Sequence, residues 1–262
     1  MSRALYTAAT GMHVQQQNVD NIANNLANAS TVGFKRVRLE FQDILYQNLR
    51  TPGASANAST PLPVGLQIGL GARAISSERV FLQGDFQQTQ NPLDVVIEGS
   101  GFFQVRQTNG EIAYTRAGQF HLNAQGQMVT ATGETAEPAI TIPSNATSIT
   151  VGQDGTVSVT LPGQANAQNV GQLQLATFAN PAGLESLGRN LFKETAASGQ
   201  ATLGTPGTQG LGQLNQGYLE GSNVNVVEEL VNMIVAQRVY ETNSKVITAA
   251  DRMLGTINQA VS

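Results

Sequence analysis

The chain contains no cysteine and no tryptophan in its 262 residues. The first absence removes disulfides, thiolate nucleophiles and the usual cysteine-ligated zinc sites together. Charge is scarce as well: Asp, Glu, Lys and Arg make up 12% of the residues, about half the ~25% of an ordinary globular domain. There is no Lys/Arg cluster and the formal net charge is -4, which argues against nucleic acid, because neutralised phosphates supply most of that affinity. No run approaches the ~20 apolar residues needed to span a bilayer. The N-terminal stretch Met1–Thr7 opens no apolar segment of the kind a secretory leader requires. No cleaved signal is therefore expected, and work outside the cytoplasm would call for another export route.

Polarity comes instead from Asn, Gln, Ser, Thr and 27 Gly, beside a 40% apolar share that is enough for a core. Such a surface carries weak long-range fields and many amides, which suits a subunit packed against copies of itself. The length fits one large domain or two modest ones.

From Leu5 apolar residues recur every seventh position as Leu5, Met12, Val19 and Leu26, with Ala8, Ile22 and Ala29 at the other seam position and Gln15 the one break. This heptad pattern predicts a helix packed lengthwise on other helices, and ~25 residues at 1.5 Å each make it roughly 37 Å long. Between Arg3 and Lys35 there is no Lys or Arg, so the helix lacks the basic face of a membrane-surface segment. The other end repeats the device: Val226, Met233, Tyr240, Ile247, Leu254 and Val261 recur every seven, flanked by Ala236, Ala250 and Ile257 and widened by Val239, Val246 and Met253. A stripe this broad needs cover on more than one side, which a lone pair of helices cannot provide. Asn21, Asn24, Asn25 and Asn28 lie on or near one side of the first helix, where amides cap a helix, end it before Gly33 or bridge identical copies.

The middle reads differently. Pro52, Pro61, Pro63 and repeated Gly forbid a long helix over 46–72, and an extended, poorly self-burying connector is expected. From about 73 to 222, short apolar runs alternate with turns: Leu93–Ile97, Phe102–Val105, Ile112–Tyr114, Gln127–Thr130, Ile140–Ile142, Ser148–Val151, Thr156–Leu161 and Val170–Phe178. These predict an antiparallel sandwich or barrel-like domain, with hairpin turns at Asn109-Gly110 and Asp154-Gly155.

Chemistry finds no foothold. Asp94 and Glu98 on a strand would stand about 13 Å apart, too far for a glycosidic acid/base pair. Gly99-Ser100-Gly101 lacks the nucleophile-elbow pattern, and no phosphate loop follows Gly65–Gly71. His13 and His121 are isolated from each other and from any carboxylate cluster. No catalytic, cofactor-binding or metal-binding residue is expected.

The same residues resemble the flagellar basal-body rod family. Its N-terminal signature is similar to Asn21-Ile22-Ala23-Asn24-Asn25-Leu26-Ala27-Asn28 followed by Thr31, Gly33, Phe34 and Lys35. Asn91–Gly99, Gly101–Val105 and Tyr114–Phe120 are similar to the core shared by rod and hook proteins. Gly217–Val224, Val239–Glu241 and Asn243–Lys245 resemble the distal rod branch of the family. The likeness covers both ends and the centre, and is less distinct over 160–210. It implies a tube of subunits with the terminal helices on the inner wall and the β domain outward, joining proximal rod to hook as a drive shaft. The implied partners are further copies in a helical homopolymer, the proximal rod subunits, the hook protein, the outer bushing-ring proteins and the flagellar type III export apparatus. The implied place is the periplasm-spanning rod of the basal body. Neither nucleic acid nor membrane insertion is implied, and no cofactor.

The expectation is thus a mainly β fold with α: long terminal helices forming a coiled-coil-like assembly domain (1–35 and 223–262), an extended connector (36–72) and an antiparallel β-rich outer domain (73–222). The expected assembly interface is Leu5, Met12, Val19, Ile22, Leu26, Asn24, Asn28, Val226, Met233, Tyr240, Ile247, Leu254 and Ile257. An extracellular β-rich enzyme would need a convergent polar cluster and an adhesin module would need exposed aromatics; the residues offer neither. Hook proteins are usually longer, and proximal rod subunits are mostly shorter or lack the connector.

Overall fold

The computed structural model describes residues 2–50, 55–57, 60–61, 64–164 and 166–261. The chain divides into two compact units, the first of Met1–Ala27, Val37–Glu78 and Asn225–Ser262, the second of Asn28–Arg36 and Arg79–Val224. The architecture is mixed, mainly β with two helices.

In the first unit, helix α1 (Ser2–Ala27) packs along α2 (Val226–Val261). At 1.5 Å per residue they are about 39 and 54 Å long. Their mutual face buries Ala8 and Ile22 of α1 and Ala236 and Ala250 of α2, and the small residues let the backbones approach. Gly11 marks a close passage, since a Cβ there would meet the Asn243 amide nitrogen at 2.9 Å. α2 begins where the side chain of Asn225 accepts hydrogen bonds from the backbone N–H of Val227 (3.0 Å) and Glu228 (3.3 Å). This is an N-cap that satisfies otherwise orphaned donors, and Glu228 and Glu229 in the first turn suit the positive end of the helix dipole.

Between the helices the chain runs out and back as a nested ribbon. β1 (Val37–Asp43) pairs with β6 (Ala72–Arg79), β2 (Gln47–Arg50) with β5 (Leu66–Ile68), and β3 (Ser55–Asn57) with β4 (Thr60–Pro61). Cross-ribbon polar pairs decorate its base: Arg38 with Glu78 at 2.8 Å, and the Ser76 hydroxyl donating to Glu40 at 2.8 Å. A two-stranded ribbon buries little of itself, and Leu45, Tyr46, Leu49 and Leu66 stand exposed. The part of the expected connector at 51–54, 58–59 and 62–63, with Pro52 and Pro63, lies outside the described residues. What holds the ribbon to α1 is Asn25, 1% exposed. Its amide donates to the Val37 carbonyl (2.9 Å) and accepts from the Val37 N–H (3.0 Å), and Asn21 donates to the same carbonyl.

The second unit is built on a sheet that runs in the order β11 (Phe120–Leu122), β12 (Met128–Thr130), β13 (Thr135–Glu137), β9 (Phe102–Arg106), β10 (Ile112–Thr115), β19 (Leu191–Lys193) and β18 (Glu185–Gly188). Off this path, β17 (Leu175–Thr177) pairs with both β9 and β20 (Thr202–Gly204). β9 is the spine. Consecutive side chains of a strand face opposite ways, so Phe103 enters one core with Val95, Ile97, Phe120, Met128 and Leu173, while Phe102 enters another with Tyr114, Phe178 and Phe192. Edge-to-face stacking orders both: Phe103 on Phe120 at 5.3 Å, and Tyr114 on Phe178 at 4.8 Å. β14 (Ser148–Val151), β15 (Thr156–Thr160) and β16 (Gln168–Gln172) form a separate antiparallel sheet.

The hairpin turns expected at Asn109-Gly110 and Asp154-Gly155 join β9 to β10 and β14 to β15. The run Ile140–Ile142 differs from expectation, making only a bridge from Thr141 to Gln127, although Ile140 and Ile142 are buried. The run Val170–Phe178 divides into β16 and β17. Among the described residues no helix is long and apolar enough to cross a membrane.

Phe120 is fully buried against Phe103. Phe120→Ala should therefore cost about 3–5 kcal/mol through lost transfer energy and a residual cavity, seen in urea unfolding as a lowered midpoint at unchanged slope. A loss below about 1 kcal/mol would refute the placement of β11 in the core.

Candidate assembly surface and its buried anchor

The helix pair leaves one side of α2 uncovered. Val227, Val231, Ile234 and Val235 are each more than half exposed, at 71%, 54%, 51% and 56%. They follow the helical period on the side turned away from Ala236 and Ala250, the residues buried in the helix pair. Further along, Val239, Val246, Met253 and Ile257 are also exposed, on a neighbouring flank. Soluble monomers rarely leave contiguous apolar surface of this kind in water.

Of the residues expected at the interface, Ile22 is buried and Leu5, Met12, Val19, Leu26, Met233, Ile247 and Leu254 are half-buried, while Val226, Tyr240 and Ile257 are exposed. Val19 and Tyr240 come together in an open notch edged by Gln16, Gln237 and Glu241. Asn24 is exposed on α1, whereas Asn28 belongs to the second unit, where its side-chain oxygen accepts from the Thr31 hydroxyl. Asn21 and Asn25, read from sequence as amides available to bridge copies, bond inside the subunit to Val37.

The second unit holds a feature that no periodicity announces. Lys35 and Glu220 have fully buried side chains and are 2.5 Å apart, and Arg116, 4% exposed, approaches the other oxygen of Glu220 at 3.5 Å. Lys35 also donates to the Leu82 carbonyl (2.7 Å), Glu220 accepts from the Gly84 N–H (3.0 Å), and Arg116 donates to the Gly99 carbonyl (2.7 Å). Backbone bonds close around them: Gly33 N–H to the Glu220 carbonyl (2.8 Å) and Val80 N–H to the Arg36 carbonyl (2.9 Å). The Asn223 side chain accepts from the Arg36 N–H (2.7 Å) and donates to the Val80 carbonyl (2.8 Å). Only glycine fits at position 33, with φ of 70° and a Cβ that would lie 2.7 Å from the Ala117 nitrogen. Burial is the chief influence on the Lys35 ammonium and holds its pKa below the ordinary lysine value; Glu220 opposes this and Arg116 adds to it. Arg116 is likewise lowered by burial, against the pull of Glu220.

The carboxylates weighed for catalysis have structural tasks. Asp94 is buried rather than solvated, and accepts from the Asn91 side chain at 2.9 Å. Glu98 accepts from Asn215 at 2.7 Å. Gly99 and Gly101, both with positive φ, turn the chain from β8 (Val95–Glu98) into β9 around Ser100. His13 and His121 are exposed.

Comparison with known proteins matches three stretches of the chain. Residues 5–35 fit the family described as flagella basal body rod protein, 96–159 the flagellar hook protein FlgE/F/G D1 domain, and 215–260 the flagellar basal body rod FlgEFG protein C-terminal family. The chain is 51% identical over 259 residues to the flagellar basal-body rod protein FlgG of Buchnera aphidicola subsp. Acyrthosiphon pisum, covering 99% of this chain and 100% of that one. It is 52% identical over 258 residues to FlgG of Caulobacter vibrioides (98% of each chain), and 39% identical over 259 residues to FlgG of Bacillus subtilis (97% of each).

The buried lysine gives a pH signature. Its folded-state pKa lies below its unfolded value of 10.5, so the protonated form weighs against folding near neutrality, and the penalty lifts as pH rises through the folded pKa toward 10.5. Tyr114 acts oppositely and higher. Its hydroxyl is pushed up to about 12, chiefly by burial and further by Glu194, so stability falls from about pH 10 to about pH 12 as the unfolded phenol ionises. In urea unfolding against pH, Lys35→Met should flatten the rise below about pH 10 and leave the Tyr114 fall in place. An unchanged rise would exclude Lys35 as its source.

Proposed function

Because this chain belongs to the flagellar basal-body rod family, we propose that its copies polymerise, helix against helix, into a stiff tubular drive shaft that carries torque from motor to hook and encloses the export channel. It is a structural subunit of the distal rod and not an enzyme, and its place is the flagellar basal body, assembled into the rod with other flagellar components. The observation that carries the polymer reading is the uncovered apolar side of α2, present on a helix whose opposite side is already packed on α1. A second copy covers that side in kind, and a head-to-tail contact that does not close on itself grows a helical filament.

In this reading the assembly domain is 1–35 with 223–262, packed in coiled-coil fashion; 36–72 is the connector and 73–222 the outer domain. Leu5, Met12, Val19, Ile22, Leu26, Asn24 and Asn28 contribute from the N-terminal side. Val226, Met233, Tyr240, Ile247, Leu254 and Ile257 contribute from the C-terminal side. Proximal rod subunits and the hook protein are the axial neighbours, bushing-ring proteins surround the outer domain, and the flagellar type III apparatus exports the chain into the periplasm-spanning rod. Helices that gain most of their burial from neighbours order fully only on assembly.

The double variant Leu254→Asp with Ile257→Asp should abolish tubes in negative-stain electron microscopy of the concentrated full chain, while the unfolding transition of the β-rich unit stays in place. Tubes formed as readily as by the wild type would overturn the interface.

A further inference from the structure

We infer that Arg238, Lys245 and Arg252 form a row of cations that stays in water when copies assemble and lines the export channel, where it attracts acidic unfolded chain in transit. This rests on the polymer reading above and adds to it which side of α2 is wet and what charge that side carries.

The period of the helix sets the row. These three residues are all the Lys and Arg of α2, and they stand seven apart, about 10 Å from one to the next at 1.5 Å per residue. An α-helix drifts only about 20° per seven residues, so they share one side. Their neighbours in sequence fix which side it is. Ala236 and Ala250, buried in the helix pair, and Asn243, beside Gly11, each precede a cation by two residues, which is about 200° of rotation. The cations therefore point away from α1, and all three are exposed. Val239, Val246 and Met253 each follow a cation by one residue and form the exposed apolar flank. Counted back by seven, the row continues to Val231, itself exposed. The side opposite α1 is thus apolar at the start of α2 and cationic from Arg238 on, which is why the apolar surface moves to a flank there.

A dry contact between copies would have to bury these charges, and a buried charge is stable only when paired. The helices offer no matching row of acids. α1 carries Asp20 alone, and Glu228, Glu229, Glu241 and Asp251 of α2 share no seven-residue spacing. Glu241 stands between Arg238 and Lys245 but edges the notch beside Val19 and Tyr240. Among the described residues, exposed ion pairs such as Arg38–Glu78, Arg106–Glu137 and Lys193–Glu111 lie on strands and hairpins, and the three cations of α2 are in none. Neighbouring copies therefore take the apolar flank, and the row keeps its water. In a tube walled by these helices, successive copies repeat the row around a narrow lumen, and like charges lining such a cleft concentrate the opposite charge. The partner that fits is unfolded polypeptide of net negative charge, as another copy of this chain is at a formal -4. Hydrated and screened cations hold such a chain weakly, so it is drawn in without being arrested.

Because the chain has no cysteine, Ala249→Cys supplies a single thiol. Ala249 is exposed, four residues after Lys245 and three before Arg252, hence on the same side, and its replacement leaves every cation in place. Tubes and unpolymerised subunits would each be reacted to completion with N-ethylmaleimide and, separately, with a long polyethylene-glycol maleimide too bulky for a channel. Unpolymerised subunits should take both, and tubes only the small one. Tubes closed to both would place the row in a dry contact, and tubes open to both would place it on the outside; either result overturns the inference. The charge is read from initial rates with a methanethiosulfonate carrying a sulfonate against one carrying a trimethylammonium. Their anionic-to-cationic rate ratio should rise on the order of tenfold on assembly at low salt, fall back at high salt and be lost in Arg238→Gln with Arg252→Gln. A ratio unmoved by assembly would overturn the charged lining. Failure of the polymer reading shows separately and earlier, as wild-type chain that forms no tubes, and it removes the channel and this inference together.

Discussion

One buried carboxylate ties three distant stretches of this chain together inside the second unit. Glu220 receives Lys35 and Gly84 on one oxygen and Arg116 on the other, and each partner comes from a different stretch of sequence. A buried ion cluster is a poor source of stability, because desolvation consumes much of its Coulomb gain. What such a cluster supplies is specificity. The carbonyls of Leu82 and Gly99 accept from its two cations, so a shifted register would strand charge in the interior. Gly33 shows the same demand from the backbone side, since no larger residue could lie against Ala117 and Arg116.

The parts that could be read from sequence are those that depend on local period. Heptads placed both helices, and α1 and α2 run over nearly the spans expected. Alternation and Gly turns located β9, β10, β14 and β15. The ribbon over 37–79 was hidden because its strands β1, β2, β5 and β6 hold no buried residue, so no alternation had to be kept, and Pro with Gly pointed only to extension. β18 and β19 carried no alternating run long enough to be seen. Their hairpin turns at Arg189-Asn190, both with positive φ, where turn chemistry would lead one to look for glycine. The candidate surface was half legible. The apolar surplus on the second helix is plain in its sequence, but which residues face the first helix depends on rotation, and the small residues Ala236 and Ala250 took the centre that larger neighbours seemed to claim. The ion cluster was not legible at all, since Arg116 and Glu220 are single charges, Lys35 is one of three cations over 35–38, and the three cluster members share no spacing.

The shortage of charge and wealth of amides take on a second meaning in the structure. Part of that amide content is bonded within the subunit. Asn25 substitutes for a strand in satisfying both backbone groups of Val37, Gln83 spans from the Ile97 carbonyl to the Gly99 N–H, and Gln216 joins Pro92, Ile149 and Val151. Amides carry a donor and an acceptor together, so they can stitch irregular backbone where ladders break, without the desolvation cost of an ion. The composition therefore reflects internal stitching as much as any contact between copies.

With those amides assigned, the uncovered apolar residues of α2 stand out more sharply on the helix pair. Their arrangement differs along the helix: near its start they lie opposite the face that meets α1, and toward its end they move to a flank. A single neighbouring helix laid straight along α2 would cover one of these stretches and leave the other in water. Two neighbours, or one that crosses, are needed to cover both. Contacts made in two directions from one stiff helix resist both bending and twisting, which is the mechanical property that a torque-bearing rod requires of its subunits.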